Sequence, residues 1–386
     1  MNHIRFGIVG LGSMGTVHAR SIIDGLIPHT TLAAVADPNE AAFRNFSETS
    51  RFADGSTLIH SGEVDAVLIA TPHYEHTTIG IEALKAGLHL LVEKPISVHK
   101  ADCERLIAAH TNSSQVFAAM FNQRTDPSYI KLRNLIQTGQ IGPIRRINWI
   151  ITDWFRTQAY YSSGGWRATW AGEGGGVLLN QCPHQLDLWQ WIFGMPTKVR
   201  AFGRVGRYHD IEVEDDVTAY FEYENGATGI FVTSTGEAPG TNRLEVVGDL
   251  GRVVVENGQI EFTRNEVSMK DFCETTPERF SKPPIWNVRI PVAGGTGLQH
   301  VGILQNFAGA ILDGLPLISP AKEGIHSVEL ANAMLLSIFE DRTIQLPLDG
   351  TEYEVFLKKK IADSRFIKKE RVTLALDDDF AKSFSR

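Results

Sequence analysis

Ile4-Arg5-Phe6-Gly7-Ile8-Val9, running into Gly10-Leu11-Gly12-Ser13-Met14-Gly15, is the stretch that decides the fold. A short apolar run bounded by glycine reads as a buried strand, and the residues from about Met14 to Asp24 read as the helix after it. The glycines follow G-x-G-x-x-G. The first permits a tight turn, the second lets a pyrophosphate approach the backbone, and the third lets helix pack closely on strand. Ser13 and Met14 open that helix, where free N–H groups and the helix dipole favour phosphates. A glycine turn of purely structural use would carry the same letters, so the next strand matters. Leu32-Ala33-Ala34-Val35-Ala36 ends at Asp37, about twenty residues beyond the motif, where a carboxylate accepts from ribose hydroxyls and repels a 2′-phosphate. Pro38-Asn39-Glu40 offers no Arg or Lys for that phosphate. The cofactor expected is NAD rather than NADP.

Working outward, further apolar runs at Ala66–Ala70, His89–Val92 and Val116–Phe121 alternate with helical patterns at Glu75–Ala86 and Lys100–Thr111. Such alternation predicts a parallel sheet covered on both faces, with ligands at the carboxyl ends of its strands. After about Asn122 the period changes to two, at Ile144–Ile151, Asp216–Tyr223, Ala227–Thr233, Leu244–Val247 and Arg252–Glu256. These predict a mostly antiparallel sheet with one polar and one apolar face. Helical patterns return at Gln299–Asp313 and Lys322–Arg342. The reading is an α/β chain of two domains, 1–122 and 123–386, divided by a change of periodicity rather than by a linker.

Composition narrows the class. The chain has 386 residues, 43% hydrophobic and 21% charged, as soluble globular proteins do. A net charge of −8 argues against a nucleic-acid partner, which would need a basic face. Cys103, Cys182 and Cys273 lie far apart with no CxxC pair, so neither a disulfide framework nor a metal site is expected. A cytoplasmic protein, with no membrane span, fits these features.

Two stretches carry candidate chemistry. Glu93-Lys94-Pro95 stands at a strand's carboxyl end, where a lysine can hold a carbinol oxygen and help move its proton. An exposed lysine before a turn is the bland alternative. In Gly174-Gly175-Gly176…Asn180-Gln181-Cys182-Pro183-His184-x-x-Asp187, a helix would put Asn180 and His184 on one face. Pro183 makes that awkward, so either the helix begins at Pro183 or it bends there; it should stop at Gly194. His184 suits a general base, though a core histidine is equally compatible with the spacing. Asp187 reads as structural. Asp153, Trp154, Arg156 and Tyr161, then Trp166 and Arg167, mix rings with cations, as a carbohydrate pocket does; core or subunit-interface aromatics are the alternative.

Together these stretches resemble the Gfo/Idh/MocA family of sugar and polyol oxidoreductases. The match rests on the glycine motif, Ala36-Asp37-Pro38, Ala70-Thr71-Pro72 with His76, Glu93-Lys94-Pro95, and the triple glycine leading to His184 and Asp187. Gln305-Asn306-Phe307, Asp313-Gly314 and Leu346-Pro347 extend it to the tail. The resemblance implies an N-terminal Rossmann doubly wound sheet and a C-terminal α/β domain on a large open sheet that forms a dimer or tetramer interface. By position, Gly10, Gly12, Gly15, Asp37, Thr71, Pro72, His76, Glu93 and Lys94 would contact or border NAD, with Lys94 and His184 also flanking the substrate carbinol. Many members carry Asp four residues before the histidine; Asn180 stands there instead, and an amide cannot stabilise an imidazolium as a carboxylate does.

The leading expectation is an NAD-dependent dehydrogenase of a sugar, glycoside or polyol, with a pyranose C3 hydroxyl as the position suggested by analogy. His184 would take the proton, Lys94 would anchor the oxygen, and Asn180 would hold a hydroxyl. Inositol oxidation, redox-neutral NAD-dependent glycosidase or epimerase chemistry, and a silent sugar sensor are the other readings. Retained Lys94 and His184 argue against the sensor.

Overall fold

The computed structural model describes residues 2–369, so residues 370–386 of the expected second domain lie outside the described residues. The first sheet is built from β1 (Ile4–Val9), β2 (Thr30–Ala36), β3 (Ser50–Phe52), β4 (Ala66–Ile69), β5 (His89–Val92) and β6 (Phe117–Ala119). Its helices are α1 (Ser13–Ile23), α2 (Gly55–Ile59), α3 (His73–Lys85) and α4 (Lys100–Ala109). The strand order is β3-β2-β1-β4-β5-β6, every pair parallel. β4 is wholly buried, as a central strand covered on both faces must be. Order reverses between β1 and β4, and the crevice at such a switch point takes the ligand.

The second unit holds α5 (Pro127–Gln137), β7 (Ile144–Ile151), α6 (Gln158–Ser162), α7 (Pro183–Phe193), β8 (Lys198–Val205), β9 (Glu214–Glu222) and β10 (Thr228–Ser234). It continues with β11 (Asn242–Gly248), β12 (Gly251–Glu256), β13 (Gln259–Asn265), α8 (Met269–Thr275), β14 (Ile285–Ile290), α9 (Gln299–Asp313), α10 (Gly324–Glu340), β15 (Ile344–Gln345) and α11 (Gly350–Asp363). Nine strands run β14-β13-β12-β11-β7-β10-β9-β8-β15, antiparallel except where β10 meets β7. Trp149, Phe221 and Phe231 point inward with Trp189 of α7, and α10 packs on the same face. α9 instead returns to the first sheet, where Ile303, Leu304 and Phe307 join the core around Phe6 and Ile8.

The outward face of the large sheet departs from the expected polar surface. Ile150, Phe202, Tyr220 and Ile230 are exposed there, with Tyr220 directly opposite Ile230. Strands β3, β8, β13, β14 and β15 extend the sheets beyond the sequence expectation. Outward positions in β8 mix Arg200, Phe202 and Arg204, which blurs its alternation, and β14 is exposed along nearly its whole length.

Candidate active site

Phosphate binding starts from the glycines. Gly10 has φ +92°, and a Cβ there would lie 2.7 Å from the carbonyl oxygen of Ala70. A Cβ on Gly15 would sit 1.8 Å from the carbonyl oxygen of Gly10, so that position admits glycine alone. Around Gly12, by contrast, nothing lies within 4 Å of an added Cβ. Gly12 caps α1 without a side-chain hydrogen bond and the first turn has no acidic residue, leaving N–H groups directed at the cleft. Gly15→Ala is therefore expected to destabilise the fold by about 3 kcal/mol or more. Gly12→Ala, at a φ of −64°, should stay within about 0.5 kcal/mol of the parent yet lose on the order of tenfold in NADH affinity. Thermal melts and NADH fluorescence titration separate the two.

Asp37 stands at the end of β2. Its carboxylate accepts from the backbone N–H of Leu11 at 2.7 Å and of Asn39 at 2.8 Å, which fixes it beside the glycine turn. Partial desolvation and the neighbouring charge of Asp37 both raise the Glu75 carboxyl. Glu75, unmarked by the sequence reading, thus stands as a second acid near Asp37. Deeper in the cleft, Thr71 Oγ1 and Asn122 Oδ1 are buried without a hydrogen-bond partner among the described residues. Open space at Gly12, an uncapped helix start and unsatisfied polar atoms fit a dinucleotide.

His76 links the segments that follow β4 and β5. Its ring nitrogens face the carbonyls of Pro95 (2.8 Å) and Thr71 (2.9 Å), so it braces the two loops at the edge of the cleft. Glu93 is buried. Desolvation would raise its carboxyl, but the 2.7 Å contact with His18 and the charges of His18, His300 and Lys94 hold it at about 2. Lys94 follows in a cis peptide to Pro95 and reaches across to donate to the carbonyl oxygen of Asn180 at 2.8 Å. Burial lowers the Lys94 ammonium, Glu93 pulls it back up, and Arg167 and Arg156 push it down. Such tuning suits a group that handles a proton.

Asn180 and His184 do not share a helix face. α7 begins at Pro183, as first-turn proline allows, and ends at Gly194 with φ +79°. Asn180 lies in the turns before it, its N–H bonded to the carbonyl of Gly176. Those turns are held by Glu214, which accepts from the N–H groups of Gly176 (2.9 and 2.8 Å) and Leu178 (3.0 Å); burial pushes its carboxyl up to about 7. His184 sits at the start of α7, buried, edge-on to Phe121 at 6.4 Å. Asp187 pairs with Arg124 through two bonds of 2.7 and 2.6 Å, anchoring α7 to the segment after β6.

The aromatic insert is only partly as expected. Tyr161 is a core residue: it is 1% exposed, its hydroxyl pairs with Thr235, and its ring packs on His209. Its neighbour Tyr160 faces the site, accepting from Arg167 (2.8 Å) and Gln181 (3.0 Å) and reaching Asn180 Oδ1 at 3.3 Å. Arg156 lies over the rings of Trp154 and Tyr160, with Trp154 itself buried in the core. Asp153 is half-buried just beyond β7. Trp166 packs edge-on to His73 at 5.0 Å, and Tyr74 donates to the carbonyl of Trp170, so the insert docks on the start of α3. Tyr160 belongs to the aromatic stretch marked in the sequence, where Tyr161 was singled out in its place; Gln181 and Glu173 went unmarked. For Glu173 the available signal was an acid directly before the triple glycine.

A dinucleotide fold whose half-buried lysine at a strand end reaches across to the segment leading into a buried histidine of the second domain defines a nicotinamide-dependent oxidoreductase. Residues 4–121 match the model of an oxidoreductase family with an NAD-binding Rossmann fold, and 129–254 match the GFO/IDH/MocA C-terminal domain. A myo-inositol 2-dehydrogenase of Thermotoga maritima is 28% identical over 266 residues, covering 66% of this chain and 75% of that one. A levoglucosan dehydrogenase of Pseudarthrobacter phenanthrenivorans is 24% identical, covering 90% and 99%. The WlbA dehydrogenase of Chromobacterium violaceum, solved with NADH and UDP-GlcNAcA, superposes with a TM-score of 0.78 at 25% identity, covering 90% of this chain and 97% of that one. The chain belongs to the Gfo/Idh/MocA family of NAD-binding oxidoreductases, the dehydrogenases of sugars and polyols. No helix among the described residues is long and apolar enough to cross a membrane.

Proposed function

We propose that the protein oxidises a secondary hydroxyl of a sugar, glycoside or related polyol, at C3 when the substrate is a pyranose. The observation that carries this is the 2.8 Å bond from Lys94 Nζ to Asn180, which joins the lysine at a Rossmann strand end to the segment leading into His184. NAD accepts the hydride. Lys94 anchors the carbinol oxygen, and His184 takes its proton. Asn180, Tyr160, Arg167 and Trp166 present the amide, hydroxyl, guanidinium and ring face that a polyhydroxylated substrate needs. Residues 1–122 hold the cofactor, helped by α9, and the remainder holds the substrate.

Of the insert's tryptophans Trp154 and Trp170 are core residues, and the ring of Trp166 beside Arg167 favours a pyranose or glycoside over a cyclitol; levoglucosan is the substrate named for one relative. Inositol is the second reading, supported by the myo-inositol 2-dehydrogenase relative. A spectrophotometric screen for NADH over free sugars, glycosides, inositols and nucleotide sugars tests both. NADH formation with a sugar or glycoside supports the first, preference for an inositol the second. Tight NADH binding without turnover on any of them would point to redox-neutral chemistry or a sensor.

The protein is further proposed to assemble as a homodimer or homotetramer through the outer face of the nine-stranded sheet, in a reducing cytoplasm where its cysteines stay free. Ile150, Phe202, Tyr220 and Ile230 form an exposed apolar patch there, of the kind that marks an interface. Ile230→Glu is expected to shift the mass by light scattering toward the 42.7 kDa monomer. An unchanged oligomer would rule this face out.

A further inference from the structure

We propose that Glu173 is a positioning residue of the active site, supplying through Asn180 the negative charge that Asn180 itself lacks. The inference rests on the reading that Lys94 and His184 flank the reacting carbinol. Glu173 is 1% exposed. One carboxylate oxygen accepts from the side-chain amide of Asn180, and the other accepts from the backbone N–H of Ala168 at 2.8 Å. Arg167 Nη1 stands 3.9 Å away. Both oxygens therefore receive donors, the geometry of an ionised carboxylate. The backbone of the same Asn180 is the acceptor for Lys94.

The consequence is geometric first. Asn180 is held from three sides, by Glu173 at its amide nitrogen, by the Tyr160 hydroxyl at its amide oxygen, and by Lys94 at its carbonyl. Because Asn180 precedes α7, no helix ladder fixes its side chain; the Glu173 bond takes that role. It also settles the orientation of the amide, with nitrogen toward Glu173 and oxygen toward Tyr160 and the cleft. The charge follows the same path. Glu93 and Glu173 favour the Lys94 ammonium, whereas Arg156 and Arg167 oppose it, and His73, His76 and His300 feel its charge in turn. Around Glu173 itself, burial is the largest influence and pushes the carboxyl up, while Arg167, the Asn180 amide, the Ala168 N–H and Lys368 all favour the anion, and Glu214 is pushed up by it. Removing the Glu173 charge leaves Lys94 with Glu93 as its remaining anionic neighbour in this set against two arginines.

The test compares wild type, Glu173→Gln, Asn180→Asp and the double variant. The pH dependence of Lys94 acetylation by acetic anhydride is read by peptide mass spectrometry, and NADH affinity by fluorescence. In Glu173→Gln the labelling midpoint should fall by about one pH unit, with NADH affinity unchanged. With NAD and either myo-inositol or levoglucosan, whichever the wild type oxidises, kcat/KM should fall by about 10²-fold. Asn180→Asp alone sets two carboxylates in contact, so one must hold a proton and the rate should drop. The double variant returns a single carboxylate to the pair, and it should recover both the midpoint and most of the rate. A merely structural Glu173 would show no such rescue.

A wild-type labelling midpoint and rate in Glu173→Gln would overturn the inference, as would a double variant no better than Glu173→Gln. The underlying site assignment fails separately. Full turnover in His184→Ala would remove that assignment, while the labelling midpoint would still report whether Glu173 acts on Lys94.

Discussion

Replacing Lys94 with alanine is expected to lower kcat/KM by about 10²–10⁴-fold, the range of a positioned acid–base group, while leaving NADH affinity within a few-fold of wild type. The side chain leaves the nucleotide-binding turn untouched: the glycines, Asp37 and the α1 start are contributed by β1, α1 and β2. What it removes is the cation bonded to Asn180 at the mouth of the His184 segment. His184→Ala should fall in the same range, and the two losses should combine to less than their product because both groups serve one proton movement. Isotope-resolved turnover alongside NADH titration checks the split. Loss of NADH binding in Lys94→Ala would mean that the lysine serves the cofactor rather than the carbinol.

The second large effect is on stability. Arg124 is 1% exposed and Asp187 is fully buried. Their two bonds are supplemented by Glu323 at 2.5 Å and the carbonyl of Ile318 at 3.1 Å. Arg124→Ala strands the Asp187 carboxylate in the interior, and breaking such a pair costs about 3–5 kcal/mol. Replacing both partners with apolar residues, Arg124→Met with Asp187→Leu, should recover much of that loss, since the desolvation penalty disappears with the charges. Urea unfolding measures both. Because Asp187 stands one turn after His184 on α7, the single variant should also lose turnover before it unfolds.

The cofactor half was legible because its chemistry is local. The glycine spacing, Asp37 at the end of β2 and Lys94 just past β5 are each fixed by a strand end, and strand ends are visible as breaks in apolar runs. α9, expected over Gln299–Asp313, has those bounds in the structure. The substrate half was less legible because its contacts ignore periodicity. Glu173 and Asn180 meet through a triple-glycine turn whose geometry depends on Glu214, a residue from a distant strand. Tyr160 and Tyr161 are neighbours in the short helix α6, and which faces the cleft depends on Thr235 and His209 capturing the second. β14 escaped notice because its exposed residues lack a buried face to set a pattern.

The insert between β7 and the triple glycine has one further consequence. Near its start the N–H of Arg156 bonds to the carbonyl of Thr235, and at its end Glu214 clamps Gly176. Between those anchors it touches the dinucleotide domain through Trp166 on His73 and Tyr74 on Trp170. It therefore behaves as a cassette, pinned at both ends to one sheet and resting on the first turn of a helix in the other. Changes confined to Tyr160, Trp166 and Arg167 would thus rewrite the wall of the cleft, while Tyr161, Ala168 and Trp170 keep the insert seated in the core.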